Sequence, residues 1–134
     1  MTPEQKALAF HRFERAETSL QEAKDELTRK NPRLAVNRAY YTVFYAMRAF
    51  LATVGKDSSK HTGVAALFNE HFIKTKVVPA VSFKSIQSLM DLRHEGDYQD
   101  FAVITEEEAN GAVETAQSAL DTMRNILKKL VEII

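Results

Sequence analysis

The chain has no cysteine and no tryptophan, and only four glycines and three prolines among its 134 residues. Without cysteine there is no disulfide, no thiolate metal site and no cysteine nucleophile. That absence suits a reducing compartment, and a cytoplasmic location is expected. The few glycines and prolines sit near segment edges, which argues against a strand-and-turn fold and for long helices. Net formal charge is zero, which does not suit a protein coated in basic residues for duplex DNA. No apolar run approaches the roughly 18 residues that a membrane span needs, so no membrane partner is expected. Met1 to Phe10 carries Glu4, Gln5 and Lys6 and has no apolar centre, so no signal peptide is expected either. There is no Gly-rich phosphate loop. The four histidines, His11, His61, His71 and His94, form no His-x-x-x-His pair and follow no Glu-x-x-His pattern. No metal site and no cofactor are therefore expected.

The length fits one domain, residues 1–134, large enough to fold without covalent staples. Its charge is unevenly spread. From Lys24 to Lys60 eight Lys/Arg stand against three Asp/Glu, and from Asp91 to Asp121 nine Asp/Glu stand against one Arg. This asymmetry fits a locally basic surface that attracts phosphates. It equally fits two solvated faces of opposite sign that help a bundle pack or dimerise.

Apolar periodicity predicts five helical stretches. The first runs from about Pro3 to Arg29, with Thr2 as N-cap and Phe10, Phe13, Ala16, Leu20, Ala23 and Leu27 as its stripe. The second runs from Pro32, behind Asn31 as a capping side chain, to about Val54, with Gly55 ending it. Val36, Tyr40, Val43, Met47, Phe50 and Leu51 fill one face, while Arg38, Tyr41, Tyr45 and Arg48 occupy another. A helix apolar or aromatic most of the way round is usually central to a bundle. After a polar loop, a third helix covers about Thr62 to Lys74, with Val64, Leu67, Phe68 and Phe72 inward. A fourth covers about Ser82 to His94, with Phe83, Ile86, Leu89 and Met90 inward and Gly96 ending it. Asp97 to Ile104, including Tyr98 and Phe101, reads as a loop. Thr105-Glu106-Glu107-Glu108 is a capping box that opens the last helix, whose seam is Ala109, Ala112, Ala116, Ala119, Met123, Ile126 and Leu130. The fold class is all-α, an antiparallel up-and-down four-helix bundle with an additional short helix.

Two polar constellations remain. In Asn37-Arg38-Ala39-Tyr40-Tyr41-Thr42-Val43-Phe44-Tyr45, Arg38, Tyr41 and Tyr45 share a helical face. An Arg and two phenols suit a phosphate and a stacked base. The same residues also suit a polar packing seam with Arg38 paired to a carboxylate. In Leu92-Arg93-His94-Glu95-Gly96-Asp97-Tyr98, Arg93 lies at the core side of a helix end, with Asp97 four residues on. This reads either as a structural ion pair or as an Arg, an acid and a phenol gathered at a polar opening.

Together these segments resemble the HEPN domain family, as do Ser59-Lys60-His61-Thr62-Gly63-Val64-Ala65-Ala66-Leu67-Phe68-Asn69-Glu70-His71-Phe72 and the helix start Ile104-Thr105-Glu106-Glu107-Glu108-Ala109. The resemblance spans roughly Thr18 to Arg124. It implies the same bundle and a homodimer. It also implies one of two activities: a metal-independent ribonuclease, or a nucleotide-binding subunit paired with a small nucleotidyltransferase. Ribonuclease members use an Arg and a His with four to six residues between them, for charge stabilisation and proton transfer during attack of the RNA 2′-hydroxyl. Arg93 fits the Arg position, but the His positions hold Tyr98, Gln99 and Asp100. The leading expectation is thus a dimeric subunit that binds a nucleotide or RNA through Arg38, Tyr41, Tyr45 and Arg93. A small nucleotidyltransferase would be its partner in a toxin–antitoxin-like system. One alternative is a divergent ribonuclease toxin acting through Arg93, Asp97 and Tyr98. The other is a non-catalytic helical scaffold.

Overall fold

The computed structural model describes residues 1–99 and 102–132. They form α1 (Pro3–Thr28), α2 (Pro32–Ala52), α3 (His61–Phe68), α4 (Ala80–Tyr98) and α5 (Glu106–Glu132). One π-helical turn, Asn69–Ile73, extends α3. Among the described residues there is no strand, and no helix is long and apolar enough to cross a membrane. The expected architecture is present, with four long helices and a short fifth.

The helix ends follow local chemistry. Thr2 and Gln5 form a reciprocal capping box at the start of α1. Thr105 and Glu108 do the same for α5, each satisfying the other's backbone amide at 3.0–3.1 Å. Gly55, at φ +68°, closes α2 in a Schellman arrangement: Lys56 N–H bonds Leu51 C=O and Gly55 N–H bonds Ala52 C=O. Asn31 precedes α2 as expected but makes no side-chain cap. Its amide donates instead to Glu26 at 2.9 Å, tying the α1–α2 turn.

The core forms around α2, which packs against α1, α3, α4 and α5. Val36, Tyr40, Val43, Met47, Phe50 and Leu51 are all buried, as the periodicity predicts, and so are Ala35, Ala39, Thr42, Phe44, Ala46 and Ala49. Phe50, Phe68 and Phe72 meet edge to face or tilted at 5.2–5.7 Å and anchor α3 to α2. Several stripe assignments need correction, and Leu27, Leu67, Phe83 and Met90 are only partly buried. Phe10 is 47% exposed, because Ala9 centres that stripe and the next residue turns about 100° away. Near the end of α5, Leu127 and Val131 take the buried positions, while Ile126 and Leu130 are only partly covered.

The fourth helix does not stop at Gly96. It runs through Asp97 and Tyr98, so those two residues are helical. Gly96 is buried there, and a Cβ on it would meet Ile104 at 3.1 Å. The glycine thus serves close packing inside the helix, and this outweighs its poor intrinsic helix propensity. Arg33 holds the same end from α2, donating to the carbonyls of Gly96 and Ala102. Phe101 and Asp100 lie outside the described residues.

Phe68 is fully buried, so Phe68→Ala is expected to cost about 3–5 kcal/mol. A urea denaturation midpoint within error of the parent would refute its role as the anchor of α3.

Candidate functional site

The site is built on the aromatic face of α2. Tyr40, Tyr41 and Phe44 lie within about a turn of one another and pack as a cluster, with centroids 5.1–5.9 Å apart. Arg93 crosses onto this cluster from α4. Its guanidinium carbon lies 4.8 Å from the Tyr40 centroid and 5.7 Å from that of Tyr41. Only 13% of its side chain is exposed. A cation so placed gains from the ring quadrupoles but needs hydrogen-bond acceptors.

Three groups answer that need. Arg93 Nε donates to Asp97 Oδ2 at 3.2 Å, and Nη2 to the Tyr98 hydroxyl at 3.2 Å. The third is His61, whose Nδ1 lies 3.1 Å from Arg93 Nη1. Asp97 is also held by Asn37, whose amide nitrogen donates to it at 3.2 Å. The Asn37 amide oxygen in turn accepts from Arg38. One hydrogen-bonded chain therefore runs Arg38–Asn37–Asp97–Arg93.

Of the residues singled out from sequence, Arg93, Asp97, Tyr98 and Tyr41 come together, and Arg38 joins through Asn37 while stacking over Tyr41 at 4.8 Å. Tyr45 is the outlier. Its hydroxyl accepts from Arg15 at 2.9 Å and its ring lies under that guanidinium, so it faces α1 rather than Arg93. Three members of the site carry no signal in local spacing. Asn37 and His61 stand within the stretches that resemble the family, and Tyr40 lies on the apolar face of α2, with nothing in their spacing that joins them to Arg93.

His61 is the first residue of α3, and its ring rests on Phe44 at 4.4 Å, Tyr40 at 5.6 Å and Tyr41 at 5.7 Å. The loop before it is clamped at Asp57, which accepts from Arg48 and Arg12 and from the Ser58 amide. Burial, then the Arg93 charge, holds His61 below the usual imidazole range. Tyr40 is 1% exposed, and burial pushes its phenol up to about 12 although Arg93 opposes this. No donor or acceptor among the described residues meets hydrogen-bond geometry at its hydroxyl.

Beside these groups opens a cleft of about 530 Å³ lined by Tyr40, His61, Thr62, Met90, Asp91, Arg93, His94 and Tyr98. His94 does not reach Arg93. Its ring packs on Tyr98 at 4.9 Å, as expected for a neighbour on the helix. The arrangement presents a partly desolvated guanidinium, phenols and imidazoles in one concave place, which suits an anion attached to a flat ring.

Because folding holds His61 neutral, the unfolded chain binds a proton first as pH falls below about 6.5. Stability conferred by the neutral ring is present above that pH and is lost on acidification toward the folded-state pKa. Thermal midpoints between about pH 5 and 7.5 should fall more steeply for the parent than for His61→Asn. Parallel curves would mean the ring is not held neutral.

Comparison with known proteins agrees with the helical fold. The family described as HEPN domain matches residues 10–132. A Thermotoga maritima protein named UPF0332 protein is 36% identical over 132 residues, 97% of this chain and 98% of its own. Two Methanocaldococcus jannaschii proteins bear names beginning "Putative toxin". One is 32% identical over 119 residues, 89% of this chain and 88% of its own. The other is 34% identical over 97 residues, 72% and 66% respectively. A helical bundle of this order, with a match along nearly its whole length, places the chain in the HEPN domain family.

Proposed function

We propose that the Arg93 cleft binds the phosphate and base of a nucleotide or RNA strand. In this reading the chain is a homodimeric subunit of a toxin-like system, with a small nucleotidyltransferase as partner. The observation that carries this is the state of Arg93: a guanidinium seated over Tyr40 and Tyr41 with 13% of its side chain exposed, at the wall of an open cleft. A buried ion pair alone would need no cleft. Its five N–H donors exceed the three contacts they make, leaving capacity for phosphate oxygens. The volume lies within the range usual for small-ligand sites, roughly 300–1,000 Å³. The names of the two archaeal relatives support the toxin-like setting, and the partner follows from what the family implies.

Arg93→Ala should weaken binding of adenosine 5′-monophosphate or a short oligouridylate about tenfold to hundredfold by calorimetry, as expected for a charge-assisted bond. Arg38→Ala should weaken it less. Equal affinity for parent and Arg93→Ala would remove the cleft as the site. The protein induced alone in bacteria, beside Arg93→Ala, tests the ribonuclease alternative. Growth arrest with RNA cleavage by the parent only would make the cleft catalytic. Intact RNA with both proteins soluble would leave it a binding site.

A further inference from the structure

We propose that His61 is a second phosphate-contacting residue of this cleft, so that a phosphodiester seats against the Arg93 guanidinium and the His61 ring together. The inference rests on the nucleotide-binding reading and adds to it a residue that comes from another helix.

The tautomer follows from the partner. A guanidinium has no acceptor, so at 3.1 Å from Arg93 Nη1 the His61 Nδ1 must accept. The ring proton therefore sits on Nε2, which makes no hydrogen bond among the described residues. His61 offers the cleft an N–H donor beside the free donors of Arg93. The ring is fixed before any ligand arrives, stacked on Phe44 and Tyr40, with the loop behind it clamped by Asp57. Two adjacent donors held rigidly on one cleft wall form a receptor for an oxyanion rather than a closed structural cluster.

Charge balance extends the argument. The groups facing His61 are the Arg93 cation from α4 and the neutral phenols of Tyr40 and Tyr41 from α2. Asp97 and Tyr98 act on it through Arg93, and Asp91 and His94 share the cleft wall. With Arg93 as its nearest charge, the ring stays neutral in the empty site. A bound phosphodiester brings a negative charge beside both, draws the Arg93 Nη1 donor off His61 Nδ1 and favours the imidazolium, whose added proton sits on that Nδ1. Binding then takes up one proton at His61, and affinity is highest below the ring's pKa in the free protein. It falls as pH rises through the higher pKa of the complex. Asp91, an acid on the same wall, opposes the anion.

The test uses the full chain and 2′-O-methylated uridylyl-uridine, whose single phosphodiester keeps one charge across the range and cannot be cleaved through its 2′-oxygen. NMR follows the imidazole C–H signals against pH with and without ligand. Removal of His11, His71 and His94 in turn identifies the His61 signal by elimination. The expected result is a rise of about one pKa unit at His61 on saturation, with affinity falling about tenfold across that interval. His61→Gln should bind more weakly and without pH dependence. Should that variant not fold, the titration of the unmodified ring decides alone. Ligand that binds equally at all pH values, with His61 titrating unchanged, overturns this inference and leaves the cleft as a nucleotide site. Ligand that does not bind at any pH overturns both.

Discussion

The arrangement around the cleft depends on keeping one positive charge against an aromatic surface. Arg93 lies over Tyr40 and Tyr41 with little water around it, and an unsatisfied guanidinium there would be costly. Asp97 and Tyr98 meet its donors only because α4 continues two residues past Gly96. That continuation needs a residue without a side chain where Ile104 and Arg33 approach. The glycine, the helix extension and the ion pair are therefore parts of one solution. The third partner, His61, is delivered by an element that is otherwise only a short addition to the bundle.

The position of α2 explains why such a site can exist. It touches every other helix, so most of its faces must be apolar. Tyrosine meets that demand while carrying a hydroxyl, and the three tyrosines meet three fates. Tyr40 is fully buried with its hydroxyl unpartnered. Tyr41 lies under Arg38 and Arg93. Tyr45 is taken by Arg15 from α1. The rings form one continuous cluster, and its α4 end opens to a cleft. Loop 53–60 matters for the same reason: its clamp at Asp57, with Arg48 and Arg12 as partners, fixes where α3 begins.

Most of the fold is legible in the residues. The capping boxes at Thr2 and Thr105 and the stop at Gly55 are local hydrogen-bonding devices, so short patterns find them. The α2 core follows from periodicity alone. Misreadings occur where tertiary packing outweighs local preference. Gly96 reads as a breaker but packs inside a helix, and Phe10 reads as core but lies beside the true stripe. Asn31 reads as a cap but bonds across the turn to Glu26.

The sequence by itself determined the all-helical class and the order of the helices, because caps and apolar periods are set within a few residues; the pairing of Arg93 with Asp97 waited on the packing at Gly96 that carries α4 through Asp97. Only the tertiary structure decided that His61, 32 residues from Arg93, faces it across Tyr40 and that Tyr45 does not. Those outcomes depend on how α3 and α1 dock on α2, and docking is settled by the packing of buried rings rather than by the spacing of residues along the chain.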